Sequence, residues 1–305
     1  MFWRGLSFTH AWIALGAFVT TTFSWMWDVE GEPMERGGMQ AACWVALSTG
    51  LGYTIQRGIK HARNPETMPP LRRAFWDRWK WAMVVVWGGA WTWFTVAFAE
   101  SLRWDHPERL WVVVGLGIAS LGYAFVPGTQ GGFRNVVGLK VPLIAGVWAT
   151  ATTHHPELGL DPLLWVQRFL FIAGLTLPFD IRDVEIDRPH MTTLPMVAST
   201  DQVLRWARFL LAASAALSLA VWGERTWTHG LRPVDAGPMV VGLQGLWAWW
   251  VLRPESALPT LTAAEETTRE RFTGWTLDGV LVMPYVALWL MYLMLLFVSP
   301  VLRGW

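Results

Sequence analysis

Charge is scarce in this chain. Only 15% of its residues are charged and they balance to +1, so no net field draws it to nucleic acid. Cysteine is nearly absent. Cys43 stands alone in an apolar stretch, which excludes an internal disulfide and leaves nothing to staple the fold. Tyrosine is rare as well, with 4 residues against 24 Trp. What remains is apolar, 53% of the chain by residue. So little charge cannot cover a water-exposed surface, and a tryptophan excess suits the interfaces of a bilayer, so the composition reads as a membrane protein.

Apolar runs capable of crossing hydrocarbon as helices fall near 7–27, 39–57, 81–99, 110–126, 139–153, 163–179, 203–222, 236–252 and 278–299. The first is too long for a signal-peptide core and lacks a clean small-residue cleavage site, so it reads as a span. The fifth is the shortest. The pattern predicts an all-α polytopic membrane bundle of nine transmembrane helices, a single domain over 1–305 with no separate soluble unit. Lys and Arg gather in the connections near 58–80, 127–138, 180–202 and 253–277, which are also the long ones, while the opposite connections are short and acidic. Basic loops resist translocation. The chain is therefore expected in a bacterial inner membrane, with its N-terminus cytoplasmic, its C-terminus outside, and its chemistry on the basic face. Within the spans, Arg168 beside Gln167 is expected to snorkel outward. The polar stretch from Leu261 to Phe272 is expected to be a solvated surface helix.

The most informative segment ends the sixth run. Asp180, Asp183 and Asp187 are spaced three and then four apart, so they share one helical face if the span continues past Pro178 for two more turns. Carboxylates so placed repel one another unless a hard cation sits among them. Oxygen ligands suit Mg2+, which keeps part of its coordination for water and phosphate oxygens. The competing reading is an acidic juxtamembrane helix neutralised by Arg182 and Arg188. Taken alone the segment leaves both open, and its place opposite other basic loops that can hold a diphosphate tips it toward the metal.

Asp180-Ile181-Arg182-Asp183-Val184-Glu185-Ile186-Asp187, followed by Thr193-Leu194-Pro195, resembles the second aspartate motif, DxxDxxxD, of the UbiA superfamily of intramembrane prenyltransferases. In that family the motif follows the sixth of nine spans. The resemblance extends to Tyr123, Pro127, Arg134 and Lys140, which look like the tyrosine and basic residues bordering the family's diphosphate pocket. It implies a transferase that ionises an isoprenoid diphosphate with Mg2+ on Asp180, Asp183 and Asp187 and passes the prenyl group to an aromatic or other lipophilic acceptor, among membrane lipid. Arg57, Lys60, Arg134, Lys140 and Arg182 would hold the diphosphate, and Tyr53, Gln56, Tyr123 and Asp278 would line the pocket.

The sequence departs from that family at the first aspartate motif. Its expected place, Tyr53-Thr54-Ile55-Gln56-Arg57-Gly58-Ile59-Lys60-His61-Ala62-Arg63, contains no acidic residue. Three repairs present themselves. Arg57, Lys60 and Arg63 can neutralise the diphosphate in place of a metal. Asp278 can face the cavity and supply a carboxylate, or merely cap a helix. Alternatively the chain is a non-catalytic lipid-binding or scaffold protein on the same fold, or a terpene cyclase that uses the same ionisation without an acceptor. Trp87, Trp91 and Trp93 are candidates for an aromatic wall around an allylic cation, weighed against plain packing roles.

Overall fold

The computed structural model describes residues 2–28, 36–63, 65–100, 107–125, 132–136, 138–154, 159–188, 192–230 and 236–288. Among them the chain is helical, without a β-sheet. A short helix α1 (Phe2–Phe8) leads into α2 (Ala11–Asp28), α3 (Arg36–Arg63), α4 (Pro70–Ala97), α5 (Pro107–Ala124) and α6 (Lys140–Thr153). There follow α7 (Pro162–Asp187), a turn α8 (Leu194–Val197), α9 (Thr200–His229) and α10 (Ala236–Val251). Two short helices, α11 (Pro254–Leu261) and α12 (Glu266–Arg271), precede a π-helical turn, Phe272–Leu277, and α13 (Asp278–Val280).

The long helices coincide with the first eight apolar runs, and residues 278–288 begin the ninth; the rest of that run lies outside the described residues. The helices outrun the apolar stretches wherever charge continues the helical pattern into water. The expected loop at 58–80 is mostly helix, since α3 runs to Arg63 and α4 starts at Pro70, with a single 3-10 turn at Pro65–Thr67 between them. Pro70 opens α4, where its missing N–H costs nothing. Asp161 caps α7 by accepting from the Leu163 and Leu164 N–H groups at 2.7 and 3.2 Å. Pro178 sits inside α7 without ending it, and the helix continues to Asp187 as the aspartate spacing predicted.

α7 is the buried axis of the bundle, packed between α6 and α9, with α10 against α9 and α2 against α3. Gly174 permits α9 a close approach: a Cβ there would lie 2.7 Å from Leu211 Cγ and 2.9 Å from the Ala207 carbonyl oxygen. Small residues allow this when apolar surroundings supply no hydrophobic drive between helices. The outer faces carry large apolar side chains, among them Val85, Val86 and Val96 on α4, Trp111 and Ile118 on α5, and Phe209 on α9, each more than 60% exposed. A water-soluble monomer does not leave so continuous an apolar surface uncovered. Two described helices, Pro162–Asp187 and Thr200–His229, are long and apolar enough to cross a membrane, and Ala11–Trp25 and Leu110–Tyr123 are shorter apolar stretches.

Arg168 does not snorkel. It is fully buried, its Nε donating to Ser24 Oγ at 3.0 Å and its Nη2 to the Thr20 carbonyl at 3.4 Å. Beside it Gln167 Nε2 donates to Ser214 Oγ at 2.8 Å. α7 thus turns this polar pair toward α2 and α9, because a residue at the bundle axis has no path to solvent.

Candidate functional site

A cavity of about 750 Å3 runs between α2, α3, α5, α6 and α7 and opens at the end where α3 and α7 become charged. Tyr53, Gln56, Arg57 and Lys60 line it from α3 and Tyr123 from α5. Lys140 lines it from α6, and Arg182, Asp183 and Asp187 from α7, while Asp278 reaches it from α13. The side chain of Arg134, and Pro127 altogether, lie outside the described residues.

Asp180 is the exception among the expected residues. It is absent from the cavity wall, 2% exposed, and ion-paired with Lys140 behind it, next to Thr193 and Leu194. Two of the three aspartates face the cavity and one braces α7 against α6. The helical turn explains the split, since positions i, i+3 and i+7 span a face wide enough for its edges to meet different neighbours. Asp183 is held by its own neighbour: Arg182 Nε and Nη2 donate to the two Asp183 carboxylate oxygens at 2.7 and 2.9 Å. Among the described residues, no group of three or more carboxylate, imidazole or thiol side chains is arranged to hold a metal ion.

An alternating charge network extends from this pair. The remaining Arg182 nitrogen, Nη1, donates to Thr273 Oγ1 at 2.8 Å and lies 3.7 Å from Glu270 Oε1. Arg72 Nε and Nη2 reach Glu270 Oε2 at 2.7 and 2.6 Å. Glu270 belongs to the stretch expected to be a solvated surface helix, yet it is 1% exposed. Burial pushes its carboxyl up, but Arg72 and then Arg182 outweigh burial and hold it below the ordinary carboxylate range. α12 is therefore not a free surface helix: its buried Glu270 ties α4 to α7. Glu266 adds to this tie by accepting from the Leu71 N–H at 3.1 Å.

The basic segment Arg57, Lys60 and Arg63 lines the same cavity as Asp183 and Asp187. Arg57 lines the cavity, where the charges of Glu270 and Asp183 act on it from the other helices. Lys60 and Arg63 line the same mouth, with Arg72 beside them, so cations outnumber carboxylates there and the opening favours an anion. Gln56 contributes less to a ligand than expected, because its Nε2 donates to the Ser120 carbonyl at 3.0 Å and joins α3 to α5. Asp278 is no helix cap: the helical backbone runs continuously through Phe272–Leu277 into it. The π-helical insertion lets one extra residue turn the carboxylate toward the cavity.

Sequence reasoning overlooked His10 as well as Arg72, Glu270 and Thr273. His10 sits at φ 64°, buried, with Nδ1 3.1 Å from Thr54 Oγ1 and its ring 5.9 Å from that of Tyr53. Trp148, on the same wall as the expected Tyr53 and Tyr123, was overlooked too. Of the three tryptophans proposed for an aromatic wall, Trp91 alone lines the cavity, where its indole N–H donates to Ser48 Oγ at 2.9 Å. Trp87 donates to the Thr9 carbonyl at 2.8 Å and packs with Met83, whereas Trp93 is 66% exposed on the outer face.

The sequence matches no protein-family model and no curated protein. Three solved structures share its architecture. A UbiA homolog from Archaeoglobus fulgidus bound to GPP and Mg2+ aligns at a TM-score of 0.59 and 11% identity, covering 92% of this chain and 98% of the other. A UbiA homolog from the same organism bound to DMAPP and Mg2+ aligns at 0.52 and 13%, with the same coverage. An apo UbiA homolog from Aeropyrum pernix K1 aligns at 0.56 and 15%, covering 91% and 97%. Near-complete coverage of both chains identifies the fold as that of UbiA homologs.

Proposed function

We propose that this chain is a UbiA-superfamily protein of nine membrane spans that binds an isoprenoid diphosphate at its cytoplasmic mouth and transfers the prenyl group to a lipophilic acceptor. The observation that carries the reading is a cavity whose mouth sets Arg57, Lys60 and Arg63 against Asp183 and Asp187, with apolar and aromatic walls beyond. Two of the matched UbiA homologs hold a prenyl diphosphate and Mg2+, which supports the same ligand class for this mouth.

The residues fit one magnesium ion rather than two. A carboxylate offers about four lone-pair directions, of which Arg182 occupies two on Asp183, and Asp187 adds a second carboxylate on the cavity wall. One or two carboxylates with water and phosphate oxygens are the usual protein share of a magnesium site. When bound, Mg2+ would draw charge from the leaving diphosphate. Asp180 is committed to Lys140 and contributes position, not a ligand. On the opposite wall Arg57 and Lys60 stand where a second acidic motif would be, and their charge offsets that of the diphosphate oxygens as the carbon–oxygen bond breaks and the diphosphate departs with the electron pair. The faces of Tyr53 and Trp148 stabilise the allylic cation until the acceptor's electrons form the new bond and the acceptor gives up a proton.

A second reading has its own observation. Asp180 and Asp183 are both ion-paired internally, as they would be in a protein that binds a lipid phosphate without ionising it. The two separate on diphosphate release from geranyl, farnesyl and geranylgeranyl diphosphates, measured with and without Mg2+ beside Asp183→Ala and with lipid extracts as acceptor source. Magnesium-dependent release lost in Asp183→Ala supports the transferase, whereas diphosphate binding without release would leave only the lipid-phosphate reading.

A further inference from the structure

The cavity is long as well as roomy. On α3 it is lined from Arg57 at the mouth to Ala41, about 24 Å at the helical rise. On α6 it is lined from Lys140 to His154, about 21 Å. Trp25 of α2 and Trp44 of α3 reach the same far end, so three helices agree on where the cavity stops. Along this arm the wall carries no Asp, Glu, Lys or Arg on α3 before Arg57 or on α6 after Lys140. Its lining is Val45, Tyr53, Ile144, Val147 and Trp148, with Ile172 and Leu175 from α7, interrupted by the uncharged Ser48, Thr49 and Thr150 and with His154 at the far end.

One leaflet is half of a hydrocarbon core about 30 Å thick, so about 15 Å suffices for an extended acyl chain. This arm is longer. We infer that it takes an extended isoprenoid of the geranylgeranyl class, and that Ala41 and Ala151, small side chains at the far end, set the chain length accepted. The inference rests on the diphosphate reading above and adds to it the identity of the tail. With the diphosphate at Arg57 and Lys60, a dimethylallyl or geranyl group ends in the near half of the arm. The remaining wall then faces no partner atoms and loses its dispersion contacts. A longer chain fills it, and a larger side chain at Ala41 or Ala151 would occupy the space of the chain's last carbons.

The test compares binding of dimethylallyl, geranyl, farnesyl and geranylgeranyl diphosphates to the full chain in nanodiscs, for wild type, Ala41→Leu and Ala151→Leu. Taking each variant relative to wild type cancels the partitioning of each substrate into lipid. Wild type should favour geranylgeranyl over geranyl by about tenfold or more, and each variant should lower that ratio by about tenfold. The substitutions lie on different helices, and Ala41→Val and Ala151→Val replace any variant whose thermal unfolding shows misfolding. An unchanged ratio in folded variants, or an equal loss for all four ligands, overturns the inference by giving the far arm to another occupant. Wild type that binds all four equally overturns it while leaving the diphosphate reading intact, and wild type that binds none overturns both.

Discussion

Glu270 stands where two guanidinium groups converge, so its loss exposes what the network does. Glu270→Gln leaves Arg72 and Arg182 facing one another in a buried setting with half their counter-charge gone, and breaking a buried pair in this way costs about 3 kcal/mol. Thermal unfolding in detergent should fall accordingly, and Arg72→Met in the same chain should recover part of the loss. A recovery no better than additive would show that the pair is not coupled. The sign of the pH dependence follows from the depressed folded-state value of Glu270. Its contribution is fully present above the unfolded value of about 4.3 and disappears as pH falls through the lower folded value. Glu270→Gln should therefore flatten the acid limb of stability. At the mouth, Arg57→Ala should weaken diphosphate binding about tenfold or more, because a charge-assisted contact is lost from the cavity wall. A normal affinity in that variant would move the anion site away from α3.

At the scale of elements, α7 and α9 approach as closely as they do because Gly174 has no side chain. Gly174→Ala sets a methyl 2.7 Å from Leu211 Cγ and 2.9 Å from the Ala207 carbonyl, and overpacking of that kind costs about 1–3 kcal/mol. The flexible Leu211 can yield but the carbonyl cannot, so adding Leu211→Ala should restore only part of the unfolding temperature; full restoration would mean that the backbone contact is slack. Much at this scale was legible in the sequence. The apolar runs place α2 through α7, α9 and α10, and the aspartate spacing carries α7 beyond Pro178, because both signals are local and periodic. What escaped has partners far along the chain. Arg72 and Glu270 lie 198 residues apart, and neither neighbourhood records that α12 folds back against α4. Asp180 matched its motif as well as Asp183 did, but the motif carries no information about which side of α7 Lys140 would meet. Arg168 was read from its own helix alone, and only the packing of α2 beside it supplies Ser24 and Thr20.

For the whole molecule, the two ends of the bundle differ in charge, and that difference fixes a testable orientation. Arg57, Lys60, Arg72, Lys140 and Arg182 gather at the cavity mouth. At the other end α9 finishes at His229, about 45 Å along the helix from Thr200, and Arg225 Nη1 donates to the Trp27 carbonyl at 2.6 Å where α2 ends. A helix of that length crosses the hydrocarbon core with turns to spare. With the single Cys43 replaced by Ser, one cysteine can be set at either end, His229→Cys or Glu265→Cys, both at exposed positions. The proposed orientation, drawn from the positive-inside rule, has the cavity mouth in the cytoplasm. A membrane-impermeant thiol reagent should then label His229→Cys on intact cells and Glu265→Cys only after permeabilisation. The reverse pattern would invert the bundle and bring the diphosphate to the wrong side for a cytoplasmic prenyl donor, and labelling of both on intact cells would end the membrane-spanning reading of α9.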